Sequence, residues 1–191
     1  MKNFVWDNST MKNENSALKH AYHKMAELVV RDFKRIPKPG YPNSSREDVW
    51  DAYLHFFLDA YHLKDYIQND TTLGVSKAEI NSFIDNNKDM KLLQSIVTGF
   101  KHLNADANHI SYDIKGLEWD DGSPRPSPEI GYEERNFLLT ESGKNLLSED
   151  GKKIRLESYV ERIHPRDLAV KVLASWNKFF KEKGLEIGFV T

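Results

Sequence analysis

The chain has 191 residues, a net charge of -2 at neutral pH and no cysteine. A chain of this length is most economically one domain, residues 1-191, burying roughly 70% of the surface its unfolded form would expose. The missing thiols exclude disulfides, thiolate metal sites and cysteine nucleophiles, and the near-neutral balance provides no global field for nucleic acid or anionic membrane.

The opening Met1-Lys-Asn-Phe-Val-Trp-Asp7 lacks the apolar run of a signal peptide, and no stretch approaches the roughly 20 apolar residues of a membrane span. A cytoplasmic address without membrane contact is therefore expected. Residues 16-36 read as the first helix, because Leu18, Tyr22, Met25, Val29, Phe33 and Ile36 recur at steps of three and four, and Pro37, Pro39, Gly40 and Pro42 end it. Its basic group, Arg31, Lys34, Arg35 and Lys38, reads as a solvated helix end. Ser45-Arg-Glu-Asp48 has the form of a capping box and opens a second helix running to about Gln68. Val49, Tyr53, Phe56, Ala60, Leu63 and Ile67 form one apolar face of it, widened by Trp50, Leu54, Phe57, Leu58 and Tyr61, which suits a helix at the centre of a bundle.

A second capping box, Ser76-Lys-Ala-Glu79, opens a short helix that Asn86-Asn87 ends. Another follows from about Asp89 to Asn104 on the period of Leu92, Leu93, Ile96, Val97, Phe100 and Leu103. Ile110, Tyr112 and Ile114 then alternate like a strand, Glu118-Trp-Asp-Asp-Gly122 reads as a solvated turn, and Ser123-Pro-Arg-Pro-Ser-Pro128 as a turn-rich loop. Asp150-Gly151, between Asn145-Leu-Leu147 and Ile154-Arg-Leu156, marks a hairpin turn. The last helix starts at Pro165, buries Leu168, Val172, Trp176 and Phe179, carries Lys181 and Lys183 in its last turn and stops at Gly184. The expected fold is mainly α, a bundle of four to five helices with a small β-hairpin inserted at about 110-162.

One pattern occurs twice, His55-Phe-Phe-Leu-Asp59-Ala-Tyr-His62 and His102-Leu-Asn-Ala-Asp106-Ala-Asn-His109. Residues i, i+4 and i+7 of a helix share a face, so His55, Asp59 and His62 have the donor types and spacing of a metal site. Against this, Asn104, Asp106 and Asn108 favour turns, so the second copy runs off its helix. The expectation is accordingly no metal and no cofactor, with the stripe of His55, Asp59, His62 and Tyr66 serving as the polar side of a buried helix. His20 and His23 read as exposed, His164 as a helix N-terminal turn, and Lys101-His102 as a pair suited to a phosphate. Walker, Rossmann, nucleophile-elbow and His-Glu-x-x-His patterns are all absent from the sequence.

Asp48-Val-Trp-Asp-Ala-Tyr53, Phe56-Phe57, Tyr61-His-Leu-Lys-Asp-Tyr66, Phe100-Lys-His-Leu103 and Trp176-Asn-Lys-Phe-Phe180 resemble a group of bacterial and phage-associated helical proteins, distant relatives of HEPN domains. The resemblance covers roughly residues 46-110 and 164-184. It implies a helical bundle, commonly a homodimer, with a link to nucleic acid or phage defence. The Arg-x(4-6)-His motif of the ribonucleases in that group is absent, so no ribonuclease role carries over to a residue here. Two functions stand. One is an interaction protein with an RNA or protein partner. The other is a phosphodiester hydrolase, with His62 and His102 as acid and base, Lys64 and Lys101 on phosphate, and Asp59 or Asp65 orienting an imidazole. The two differ in whether His62 and His102 converge on one concave site.

Overall fold

The computed structural model describes residues 19-37, 45-101, 112-119, 128-134, 137, 139-142, 144-154, 156 and 160-185. Among them are five α-helices, α1 (Lys19–Arg35), α2 (Arg46–Asn69), α3 (Lys77–Asp85), α4 (Lys88–Lys101) and α5 (Pro165–Glu182), and three strands, β1 (Tyr112–Trp119), β2 (Pro128–Glu134) and β3 (Glu161–Ile163). The protein is mainly helical with a small antiparallel sheet in the order β1-β2-β3.

The helix boundaries follow from local hydrogen bonds. At α2 the Ser45 hydroxyl accepts the Asp48 N–H at 3.0 Å, and the Asp48 carboxylate accepts the Ser45 N–H at 3.2 Å. Ser76 and Glu79 repeat the device at α3, with bonds of 3.2 and 2.8 Å. Asn86 closes α3, while the Asn87 side-chain oxygen accepts the N–H groups of Asp89 and Met90 and caps α4. One residue of the expected Asn86-Asn87 stop thus ends a helix and the other begins the next.

Residue type decides the layering. α2 buries Tyr53, Phe56, Phe57, Ala60, Tyr61, Leu63 and Ile67, a surface too broad for one neighbour, and it touches α1, α3, α4 and α5. On α5, Leu168, Val172, Trp176, Phe179 and Phe180 are buried against it. The Trp176 indole N–H donates to the Ala60 carbonyl at 3.0 Å, and its ring packs against Phe180, Phe83 and Phe179 with centroids 5.5, 5.0 and 5.7 Å away. At the start of α5, His164 Nδ1 accepts the Arg166 N–H at 3.1 Å, so this imidazole is an N-cap, followed by Pro165 in the first turn. Gly184 after the last turn adopts φ 65°, the left-handed end that glycine allows.

The sheet docks on α4 through its first residue. The Tyr112 N–H donates to Ser95 Oγ at 3.2 Å, and the Tyr112 and Tyr132 rings meet edge to face at 5.5 Å. Tyr132 in turn donates to Glu161, which also takes Lys88 at 3.1 Å, tying β2, β3 and the start of α4 together.

Three sequence expectations are corrected. The sheet is formed by β1, β2 and the short β3, whereas among the described residues the hairpin around Asp150-Gly151 contributes the isolated bridge Leu147↔Lys153 and a preceding turn the bridge Leu139↔Asn145. Glu118 and Trp119 continue β1 instead of opening a turn, and Pro128 is the first residue of β2, where its missing N–H is tolerated. The hairpin turn itself forms, but not as a two-residue turn. Gly151 N–H donates to the Ser148 carbonyl at 2.9 Å, Ser148 N–H to the Lys152 carbonyl at 2.7 Å, and only Gly151 has positive φ, the three-residue type I turn with a glycine bulge. Residues 16-18, Ile110, 120-127, and Asp106 and His109 of the second motif lie outside the described part.

Candidate functional site

The first copy of the twin motif lies along α2, but its three members do different things. His55 is exposed, Asp59 and His62 are half-buried, and Tyr66 at the end of the stripe is exposed. Among the described residues no three His, Asp or Glu side chains gather as a metal-holding group. Asp59 is instead half-buried, and after burial the strongest influence on its carboxyl is Asp32 of α1.

Asp32 was not singled out by sequence, although a signal exists: with Met25, Val29 and Ile36 it follows the apolar rhythm of α1, and a lone carboxylate on such a face demands a partner. It is 2% exposed, and Arg31 Nε reaches it at 2.7 Å and Arg35 Nη1 at 3.7 Å. Two members of the basic group expected to be merely solvated therefore bind an acid from their own helix. Burial pushes Asp32 upward, but the hydrogen bonds from Arg31 and Asp59 and the two guanidinium charges outweigh it, leaving Asp32 below the usual carboxylate range. For Asp59, burial comes first, then the bond to Asp32 and its charge; together they push it up to about 6 against the pull of Arg31 and His55.

Of the residues proposed for phosphodiester chemistry, those on α2 can be placed. Lys64 donates to the Tyr61 hydroxyl at 2.8 Å and lies 4.1 Å from the centre of that ring, while Gln94 of α4 donates to the same hydroxyl at 3.1 Å. This ammonium is engaged in the α2-α4 seam. Lys64 also stands two residues after His62, about 200° around the helix, so the two leave α2 on nearly opposite sides. Asp65, three residues after His62, shares its side and is half-buried. Lys101 is the last residue of α4; its side chain and the whole of His102 lie outside the described part, so the expected approach of His62 and His102 does too.

A second feature lies in the segment between β2 and β3. Among the described residues seven large hydrophobic side chains are exposed, and five of them, Leu139, Leu146, Leu147, Leu156 and Val160, fall within 22 residues of chain, at 40 to 59% exposure. Scattered apolar residues on a surface are ordinary, but aliphatics concentrated in one short stretch, across two successive turns closed at Leu139↔Asn145 and Leu147↔Lys153 and the chain after them, are the mark of a contact surface. The turn is well specified at its tip, where Ser148 bonds to Asp150 and Lys152 pairs with Asp150 at 2.8 Å. The segment mixes charges of both signs, with Lys144, Lys152, Lys153 and Arg155 against Glu141, Glu149 and Asp150 in the sequence. The aliphatic character was visible in the sequence; its exposure was not, because a Leu-Leu pair beside a turn reads equally well as core.

No protein-family model, curated protein or solved structure matches this chain.

Proposed function

We propose that this protein is a non-catalytic interaction protein that pairs with a second copy of itself through the hairpin at residues 139-156. The observation that carries the reading is the clustering of exposed Leu139, Leu146, Leu147 and Leu156 on one turn-stabilised segment, while among the described helical residues the exposed large hydrophobics are Tyr66 and Val170, one each on α2 and α5. The chemistry of that surface favours protein over nucleic acid, because phosphate recognition needs a marked excess of cations and this segment has four basic residues (Lys144, Lys152, Lys153, Arg155) interspersed with three acidic ones (Glu141, Glu149, Asp150). So small a net charge also lets two copies approach with little repulsion, and a two-fold contact uses the same aliphatic patch twice. The HEPN-like resemblance supports the same reading, since dimers are common in that group.

Sedimentation of the wild type and of a Leu139→Ser, Leu147→Ser double variant tests this. The wild type is expected to gain mass toward a dimer as concentration rises through the micromolar range. The variant should stay monomeric with unchanged helical circular dichroism, since both positions are exposed in the monomer. A wild type that remains monomeric, or a variant that dimerises equally well, would overturn the proposal.

A further inference from the structure

The hairpin at 139-156 belongs to a long excursion of the chain that leaves the sheet after β2 and returns at β3. β3 has only three residues, paired as Ile130↔Ile163, Gly131↔Arg162 and Tyr132↔Glu161. Its far end is anchored, because Ile163 packs on the core and the chain runs on through the N-cap His164 into α5. Its near end, at Glu161, is the neck of the excursion, and there side chains supply the hold. The Tyr132 hydroxyl donates to Glu161 Oε2 at 2.7 Å, while Lys88 Nζ, at the start of α4, reaches the same oxygen at 3.1 Å and Oε1 at 3.4 Å. The Tyr132 ring is buried and meets Tyr112 of β1 edge to face, so its hydroxyl is a fixed point.

The two partners of Glu161 are unequal. A phenol O–H on a carboxylate is a charge-assisted bond, made here from a ring already packed in place, whereas the Lys88 and Glu161 side chains are 58 and 50% exposed and form a pair that water and salt screen. Both hold the Glu161 carboxyl below the usual carboxylate range, the Tyr132 bond first and Lys88 second. We propose that Tyr132 and Glu161 are positioning residues of the self-pairing surface: their bond clamps the neck of the excursion and so presents Leu139, Leu146, Leu147 and Leu156 in one stance. A surface held in place loses less freedom on association than one that swings, so opening the clamp weakens pairing without touching a leucine. The role in pairing rests on the reading of residues 139-156 as a self-pairing hairpin; the clamp itself does not.

Three variants separate the contributions. Tyr132→Phe removes the hydroxyl and keeps the packed ring, Glu161→Gln keeps an acceptor for that hydroxyl, and Lys88→Met removes the ion pair alone. Amide exchange by mass spectrometry, read for β3 relative to α5, measures the clamp, and sedimentation measures pairing. Exchange of β3 is expected to quicken roughly tenfold in Tyr132→Phe, through loss of one charge-assisted hydrogen bond, and about twofold or less in Lys88→Met, with Glu161→Gln nearer the wild type and α5 unchanged throughout. The dimer dissociation constant should rise in the same order. Tyr132→Phe with wild-type exchange in β3, Lys88→Met loosening β3 as far as Tyr132→Phe, or α5 loosening in step with β3 would each overturn the clamp. Where β3 loosens as expected, a wild type that stays monomeric overturns self-pairing and the positioning role with it, whereas a Tyr132→Phe variant that pairs as tightly as a dimeric wild type overturns the positioning role alone.

Discussion

Trp176→Ala is the sharpest perturbation of the bundle, because this side chain performs two jobs at once. It is fully buried and lies among Phe83, Phe179 and Phe180, so truncation opens a cavity that three rigid rings cannot collapse to fill. It also donates the 3.0 Å bond that joins α5 to the Ala60 carbonyl of α2. Loss of a buried tryptophan costs about 3-5 kcal/mol, and the rigid lining places this site toward the upper end. For a chain of this size, with about 2-4 °C per kcal/mol, the melting temperature should fall by roughly 6-20 °C. Trp176→Phe separates the two contributions: it keeps an aromatic ring, removes the donor and a fraction of the volume, and should cost about 1-2 kcal/mol. Thermal unfolding followed by far-UV circular dichroism, supported by urea titration, measures both. A melting temperature for Trp176→Ala within error of the wild type would refute the placement of this residue as the joint between α2 and α5.

Ser45→Ala removes the hydroxyl half of the α2 capping box and should lower stability by about 1 kcal/mol in urea unfolding, whereas Ser45→Asp should retain most of it. His164 is held below its ordinary 6.5, first by burial, so the unfolded chain takes up its proton earlier and stability falls as pH drops through 6.5. His164→Asn preserves an N-cap acceptor without titrating, and its melting temperature should lose that part of the slope between pH 7.5 and 5; parallel profiles for the two proteins would contradict the assignment. No three His, Asp or Glu side chains gather among the described residues, so purified protein should carry no stoichiometric Zn, Mn or Fe and should melt at the same temperature with chelator. Bound metal with a drop of several degrees on chelation would restore the His55, Asp59, His62 site.

What could be read from sequence was what depends on neighbours along the chain. Ser45 with Asp48 and Ser76 with Glu79 cap their helices through bonds spanning three residues, and Pro165 and Gly184 bracket α5 by their own backbone preferences. The broad apolar surface of α2 announced a central helix for the same reason: periodicity is a local property. The influence of Asp32 on Asp59 depends instead on the rotation of α1 against α2, which no spacing within either helix encodes, and the twin-motif pattern pointed Asp59 at imidazoles on its own helix. β2 escaped notice because Pro128 and Gly131 weaken a strand signal, although Pro128 occupies the first position and Gly131 lies opposite Gly116 in the pairing. The Lys64 partner, Tyr61, lies one turn back on the same helix and is local, whereas the bond from Gln94 that fixes the Tyr61 hydroxyl exists only because α4 packs on α2.

The assignment as a self-pairing protein is tested most directly by cross-linking at single introduced cysteines, for which a chain without native cysteine is well suited. Leu147→Cys places a thiol on the exposed hairpin, and Lys178→Cys places one on an exposed position of α5. With a short bismaleimide at micromolar protein, Leu147→Cys is predicted to give a covalent dimer in high yield, abolished when Leu139→Ser is added, while Lys178→Cys stays monomeric. Equal yields at the two positions, or no dimer from Leu147→Cys, would contradict pairing through the hairpin.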